Sequence, residues 1–255
     1  MQLSGKVAVV YGAAGAMGGA AARALGAAGA RMVLVGRTAA TLEVVARDIR
    51  DAGGEATTAV VDVDDPSAVE AHAAAMVAEA GGYDICFNAA GMDDVQNVAL
   101  VDMTLDDFML PIIESARRQF ATATSAARRM IDRGSGVIVT FSTTAAREWR
   151  HQMGGFNVAC AGIEALTRSL AGELGRHGIR VVCVRPNFTP ETLPLPPDER
   201  AAFVGNELGQ LVGDTALGRL PLLDEVAATV VYAASDAAGA MSGAVLNLSC
   251  GALVD

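Results

Sequence analysis

The feature of this chain that most constrains its fold is a regular alternation of short apolar runs with longer stretches of helical pattern. Seven runs of five or six residues are predominantly apolar, and they span residues 7–11, 31–36, 56–61, 83–88, 137–141, 179–184 and 244–248. Continuous apolar runs are typical of parallel strands that helices cover on both faces. Helical patterns lie between and after these runs, at residues 17–29, 39–53, 66–80, 104–133, 152–176, 198–212 and 224–235.

This alternation predicts an α/β fold, a doubly wound parallel sheet of about seven strands joined by right-handed crossovers. The length of 255 residues leaves one or two domains open, but no repeat, linker or low-complexity tract interrupts the pattern. We therefore predict a single domain over residues 1–255. Its one irregular region, residues 186–221, is rich in proline and is predicted to form a substrate-binding loop or lid.

Charge and apolar content argue against two classes of partner. The chain carries 19 basic and 29 acidic side chains, a formal net charge of −10, without a cluster of lysine or arginine. Nucleic acid is therefore not an expected partner, because phosphate binding needs a concentrated basic surface. The first residues lack the apolar core of a signal peptide, and no run of about 18 apolar residues could span a bilayer. We predict a cytoplasmic protein that has no membrane partner.

The four cysteines are far apart in the sequence and include no C-x-x-C pair; they are Cys86, Cys160, Cys183 and Cys250. This pattern favours a reducing compartment, with each thiol most simply a small buried side chain. We predict no metal site.

A glycine-rich turn at residues 11–19 follows the first predicted strand and opens the first predicted helix. Glycine lets a backbone come close to a pyrophosphate, and free N–H groups at a helix N-terminus stabilise the charge of that group. Such a turn is a weak signal alone, but the order of strand, turn and helix strengthens it. We predict that a dinucleotide contacts Gly12, Ala14, Gly15, Met17 and Gly18.

This turn and later segments resemble the short-chain dehydrogenase/reductase family over essentially the whole chain. The family pattern T-G-x-x-x-G-x-G corresponds to Tyr11, Gly12, Ala16 and Gly18. Further matches are an Asp-Val pair at 62–63, the segment 88–91 in place of N-N-A-G, and C-terminal residues 217–219 and 242–247. The resemblance implies a Rossmann-type sheet and a nicotinamide dinucleotide in contact with Asp62, Val63, Asn88, Ala89, Ala90, Gly91, Pro186 and Thr189.

The end of the second predicted strand favours NADP(H) over NAD(H). Within the resemblance, Gly36 replaces the carboxylate that accepts a hydrogen bond from the ribose 2′-hydroxyl in NAD-selective sites. Arg37 and Thr38 follow, and a guanidinium at this point can bind a 2′-phosphate and stack on adenine. The alternative is a solvated arginine in a turn.

The resemblance also identifies the catalytic positions, and there the residue types depart from the family. A serine, a tyrosine 13 residues later and a lysine 4 beyond it correspond to Thr143, Phe156 and Cys160, and a helix asparagine corresponds to Ser115. In the family the tyrosine handles the substrate proton and the lysine lowers the pKa of that tyrosine. Phe156 cannot donate a proton, and Cys160 supplies no positive charge. Since positioned acid–base catalysis contributes ~10²–10⁴-fold, we expect ordinary ketone reduction to be crippled.

Other interpretations stay open for these residues. Phe156 and Cys160 share a helical face with later apolar residues, so they are also compatible with a buried stripe. A reactive Cys160 would need a neighbouring cation or helix N-terminus, and the sequence shows no such partner. His151 is a candidate substitute acid, and Asp93 and Asp94 are candidates for the edge of the substrate site. Apolar residues within 187–215 suggest an apolar small-molecule substrate.

Three functions are compatible with this sequence. The first is an NADP(H)-dependent oxidoreductase that transfers hydride without the usual acid, for example to an iminium or quinone-like acceptor. The second is a non-catalytic cofactor-binding subunit or scaffold, and the third is a dehydratase or isomerase. The glycines and arginine at the dinucleotide end favour the first over the third.

Two helices of the family commonly pack against a second subunit, and the alanine-rich face within 104–133 leads us to predict a homodimer or homotetramer.

Overall fold

The computed structural model describes residues 2–149 and 152–254, and in this part of the chain seven parallel strands form one sheet. The strands are β1 (Val7–Tyr11), β2 (Arg31–Gly36), β3 (Ala56–Val60), β4 (Ile85–Asn88), β5 (Gly136–Phe141), β6 (Ile179–Pro186) and β7 (Val245–Leu248). Their order across the sheet is β3-β2-β1-β4-β5-β6-β7. The predicted doubly wound α/β sheet of the Rossmann type is confirmed.

Helices cover both faces of this sheet; they are α1 (Ala16–Ala27), α2 (Ala39–Asp51), α3 (Pro66–Ala80), α4 (Leu105–Arg133), α5 (Gly155–Leu174), α6 (Pro197–Glu207), α7 (Gly209–Gly213) and α8 (Leu223–Ala234). One apolar cluster joins the sheet to α1, α2 and α8, and a second joins it to α3, α4 and α5. Every residue of β1 and β4 is buried, which explains why these runs are apolar throughout. Among the helices described, none has the length and apolar character that a bilayer crossing requires.

One predicted helix is wrong as a single element. Residues 198–212 belong to two helices, α6 and α7, which are separated at Leu208, where φ is −107° and ψ is 12°. Gly205 and Gly209 flank the break, and glycine is the poorest helix former after proline. The other predicted helix and strand ends differ from the observed ones by up to three residues, since element ends carry the weakest sequence signal.

The direction in which the strands are added reverses between β1 and β4. Connections on the two sides of this point leave in opposite directions, which opens a crevice beyond the carboxyl ends of the two strands. The segments that follow β1, β2, β4, β5 and β6 therefore meet at one edge of the sheet. The predicted site residues follow different strands, and this topology is what brings them together.

Helices α4 and α5 are in close contact where α5 begins. Helix α4 runs through Pro111 without a break. A Cβ atom on Gly155 would overlap the carbonyl oxygen of Phe108 and would lie 3.1 Å from the Pro111 ring. Glycine at this position thus allows the first turn of α5 to pack directly on the α4 backbone.

Replacing Gly155 with alanine should destabilise the fold by about 1–3 kcal/mol, because the added methyl group must displace the α4 backbone. Gly162→Ala is the matched control, since a Cβ at that α5 position meets no atom within 4 Å. The control should be neutral or more stable by up to about 1 kcal/mol, because alanine is the better helix former. Urea unfolding measures both variants, and equal stabilities would contradict the packing described.

Candidate functional site

Three neighbouring cavities lie along the carboxyl edge of the sheet. We call them the turn cavity, about 260 Å³ at the β1–α1 turn, the central cavity, about 220 Å³ at the end of β5, and the loop cavity, about 480 Å³ beside the segment after β6. The turn and central cavities share Ala89, Ala90, Gly91 and Arg118. The central and loop cavities share Met17, Phe141, Thr143 and Phe156. Shared walls make the three cavities one continuous row.

Most of the predicted dinucleotide-binding residues lie on the walls of this row. The turn cavity is lined by Gly12, Ala14, Gly15, Arg37, Thr38, Val63, Ala89, Ala90 and Gly91. The loop cavity is lined by Met17, Pro186 and Thr189. These residues follow five different strands, and no single segment of the chain could supply this surface.

Glycine makes the turn cavity possible. Gly12 has φ +74°, and a Cβ atom there would lie 2.6 Å from the Ala90 nitrogen, too close for any side chain. The N-cap of α1, Gly15, provides no side-chain hydrogen bond, and the first turn of the helix carries no acidic residue. The first N–H groups of α1 are therefore open to an anion, and a pyrophosphate fits both their charge and the closeness of the backbone.

Three further predicted contact residues, Gly18, Asp62 and Asn88, are not among the residues that line the three cavities. A Cβ atom on Gly18 would overlap the carbonyl of Gly12, so this glycine lets α1 pack beneath the turn. The carboxylate of Asp62 accepts a hydrogen bond from the Asp64 backbone N–H at 3.0 Å, and the residue is exposed. Asn88 is buried. Its amide oxygen accepts from the Ala90 N–H at 2.9 Å, which fixes the turn after β4.

Two guanidinium groups line the turn cavity, and they differ in how far they are neutralised. Arg118 forms two hydrogen bonds of 2.7 Å with Asp64, an ion pair of 3.0 Å with Glu114, and a hydrogen bond to the Gly91 carbonyl. The Arg118 guanidinium in turn lowers the pKa of Asp64. Arg37 is exposed and forms no ion pair with another residue in the described part of the chain. Arg37 is therefore the cation available to a ligand.

The central cavity brings together four of the five residues considered for catalysis. Ser115, Thr143, Phe156 and Cys160 all line it, whereas His151 lies outside the described residues. The Ser115 hydroxyl donates to the Ile112 carbonyl of its own helix at 3.2 Å. The Thr143 oxygen accepts from the Ala145 N–H at 3.2 Å and lies 3.5 Å from the Cys160 sulfur, so its own O–H remains available as a donor to one partner. Phe156 contributes a ring and no polar atom.

Cys160 is a buried thiol that lies against Thr143, with 3.5 Å between the sulfur and the hydroxyl oxygen. Burial is the main cause that raises its pKa to about 11, and the carboxylates of Glu164 and Asp94 add to this effect. The hydrogen bond from Thr143 acts in the opposite direction. At neutral pH the group is a thiol rather than a thiolate, which disfavours the nucleophilic alternative for Cys160.

A buried ion pair that no sequence pattern predicted lies next to the central cavity, in contact with Ser142 of its wall. Glu164 of α5 and Arg185 of β6 are both buried, with 3.4 Å between their charged atoms. The Ser142 hydroxyl donates to the same Glu164 carboxylate at 3.3 Å. The pair thus ties α5 to the ends of β5 and β6, directly behind Thr143.

The loop cavity has a mixed apolar and acidic wall. Of the apolar side chains expected from residues 187–215, Phe188 and Leu208 line this cavity, and Leu211 and Met153 join them. The polar wall includes the carboxylates of Asp94 and Glu148 and the amides of Gln96, Asn97, Asn187 and Gln210. Glu148 was not predicted, because it lies in a loop whose spacing to the strands carries no periodic signal.

The chain is similar to known proteins over nearly its whole length. Residues 12–252 match the family model described as enoyl-(acyl carrier protein) reductase. The short-chain reductase protein NovJ of Streptomyces niveus is 32% identical over 251 residues, which cover 96% of this chain and 93% of that protein. The gluconate 5-dehydrogenase of Burkholderia cenocepacia J2315, solved in complex with NADP and tartrate, superposes with a TM-score of 0.86 at 27% identity, covering 98% and 96% of the two chains. An NAD⁺-bound xylitol dehydrogenase superposes with a TM-score of 0.85 at 26% identity, covering 97% and 99%.

The buried environment of Cys160 predicts that it resists alkylation in the folded protein. With iodoacetamide at pH 8, Cys250 should be labelled first because it is partly exposed, whereas Cys160 should react only after unfolding or as the pH approaches 11. Mass spectrometry of tryptic peptides measures both sites in one sample. Labelling of Cys160 ahead of Cys250 at pH 8 would show that the thiol is activated.

Proposed function

The chain belongs to the short-chain dehydrogenase/reductase family, and from this premise we propose that it is an oxidoreductase that binds NADP(H) in preference to NAD(H). The observation that carries the proposal is the continuous row of cavities. A glycine cradle with open helix N–H groups lies at one end, and a pocket of about 480 Å³ for a small molecule lies at the other. A cradle for a pyrophosphate beside a pocket for a small molecule is the arrangement that a dinucleotide and its substrate require.

The preference for NADP(H) rests on the chemistry of the turn cavity. Gly36 presents no carboxylate, and a Cβ atom there would already lie 3.2 Å from Leu42. Arg37 at the rim offers a guanidinium whose fork matches a phosphate. The solved relatives described above include one complex with NADP and one with NAD⁺, so the scaffold is compatible with either dinucleotide. The proposed preference for NADP(H) therefore rests on Gly36 and Arg37, at the end of β2.

The central and loop cavities would hold the reacting end of the dinucleotide. When bound there, NADPH supplies a hydride. The Thr143 O–H, which lies 3.5 Å from the Cys160 sulfur, can turn to orient an acceptor. Phe156 provides an apolar wall, and Pro186 and Thr189 line the same loop cavity. None of these four residues can donate a full proton at neutral pH, so we propose a substrate whose reduction requires no acid. The loop cavity leaves room for a substrate beside the dinucleotide, and this supports an oxidoreductase over a non-catalytic scaffold.

The proposed homo-oligomer is supported by the outer face of α4 and α5. Ile113, Phe120 and Val158 are 46%, 56% and 46% exposed on this face. Apolar side chains grouped in this way commonly pack against another subunit.

Arg37→Ala should weaken NADPH binding about tenfold or more and leave NADH binding unchanged, because only the 2′-phosphate gains from the guanidinium. Arg47→Ala is the matched control, since Arg47 is an exposed arginine of α2 that lines none of the cavities. Isothermal titration calorimetry gives both affinities. Equal affinities of the unmodified protein for the two dinucleotides would refute the preference, and no heat from either would refute the site.

The paired change Phe156→Tyr with Cys160→Lys should create ordinary ketone reduction, with a gain of ~10²-fold or more, because it restores a proton donor beside Thr143. NADPH oxidation with a panel of ketones measures the gain. Phe156→Leu with Cys160→Lys is the control, because it carries the same cation without the phenol. A gain of the same size in the control would contradict the assignment of position 156.

A further inference from the structure

The charged side chains on the described wall of the loop cavity are of one sign. Asp94 and Glu148 are both half-buried on its wall. The Asp94 carboxylate accepts one hydrogen bond, from the Gln96 amide at 2.5 Å, and the Glu148 carboxylate has no ion pair or hydrogen bond with a residue in the ranges described. No lysine, arginine or histidine is among the described residues that line this cavity. An anionic ligand would be repelled here, and a cation would be attracted.

The rest of the wall selects an organic cation over a metal ion. Phe141, Phe156 and Phe188 line the same cavity, and aromatic faces attract alkylated ammonium-type cations. The Phe141 ring is fixed by an edge-to-face contact with Phe87, with 5.9 Å between the ring centres. Within the described chain, no group of three or more histidine, cysteine, aspartate or glutamate residues could hold a metal ion.

A second and independent sign of a ligand is an unpaired amide on this wall. Asn187 is 3% exposed, and its oxygen accepts hydrogen bonds from the Phe188 N–H at 2.7 Å and the Thr144 hydroxyl at 3.2 Å. Since a backbone N–H can only donate, the amide orientation is fixed and the nitrogen faces away from Phe188. That nitrogen has no partner among the described residues. A buried donor without a partner is uncommon and points to an acceptor atom supplied by a ligand.

From these observations we infer that the loop cavity binds a substrate with an organic iminium group, and this inference rests on the proposed function. Asp94 and Glu148 stabilise the positive nitrogen, the phenylalanine rings contact its apolar substituents, and Asn187 donates to an acceptor elsewhere on the molecule. An iminium carbon gains hydride from the reduced dinucleotide, which becomes oxidised, and the C=N π pair becomes the lone pair of the amine nitrogen. The reaction consumes no proton, which is consistent with the phenyl ring at position 156.

The test compares two bicyclic probes of similar shape on the protein without dinucleotide. The 2-methyl-3,4-dihydroisoquinolinium ion carries the iminium group, and 1-tetralone is a neutral ketone. Calorimetry should give an affinity for the iminium ion about tenfold or more above that for the ketone. Asp94→Asn and Glu148→Gln should each weaken iminium binding about tenfold and leave ketone binding unchanged, because each removes a charge without changing shape.

Asp93→Asn is the matched control, because Asp93 is exposed, adjacent in sequence and absent from the cavity wall. It should leave both affinities unchanged, and thermal unfolding should show that all three variants are folded. The inference is overturned if the ketone binds as tightly as the iminium ion, or if neither Asp94→Asn nor Glu148→Gln weakens iminium binding.

Failure of the iminium inference can be distinguished from failure of the proposed oxidoreductase function. Titration with NADPH on the same preparation reports on the dinucleotide site alone. Binding of NADPH without preference for the iminium ion would remove the substrate inference and keep the oxidoreductase. Where both bind, NADPH oxidation should be faster with the iminium ion than with 1-tetralone, and the reverse order of rates would also overturn the inference.

Discussion

The site depends on one close approach, that of the Gly12 backbone to the turn after β4. A single added carbon at Gly12 would meet the Ala90 nitrogen at 2.6 Å, so the turn after β1 can lie this close to the turn after β4 only with glycine there. The same contact leaves the turn open above α1, where the N–H groups face outward. Asn88 holds the opposite side in place through its bond to the Ala90 N–H. Glycine at position 12 therefore permits both the close packing of the two turns and the binding of an anion at this edge of the sheet.

The fold and much of the site were predictable for the same physical reason. Parallel strands buried on both faces are apolar throughout, and the residues after their carboxyl ends meet at one edge, so the sequence alone groups Gly12, Arg37 and Thr143. The pairs Arg118–Asp64 and Arg185–Glu164 could not be predicted, because their members are 54 and 21 residues apart and no periodic pattern links them. The break at Leu208 was missed because glycine only weakens a helix, and its effect depends on the packing around it.

The charged groups available to a ligand differ in sign between the turn cavity and the described wall of the loop cavity. At the turn cavity, Arg118 is neutralised by Asp64 and Glu114, which leaves Arg37 as the available cation. On the described wall of the loop cavity the charged side chains are the carboxylates of Asp94 and Glu148. A phosphate-bearing ligand and a positively charged one would thus each find a complementary end, and each would be disfavoured at the other. This polarity orients two ligands in one row, which a uniformly apolar cleft would not do.

The protonated thiol packed under Thr143 has a consequence for chemical durability. Peroxides attack the thiolate form, and with a pKa near 11 only about one Cys160 side chain in 10⁴ is ionised at pH 7. A lysine at this position would be inert to peroxide as well, whereas an exposed, low-pKa cysteine would be converted to sulfenic acid. Burial thus lets the chain carry a sulfur atom in the centre of its site without making that site sensitive to oxidative stress.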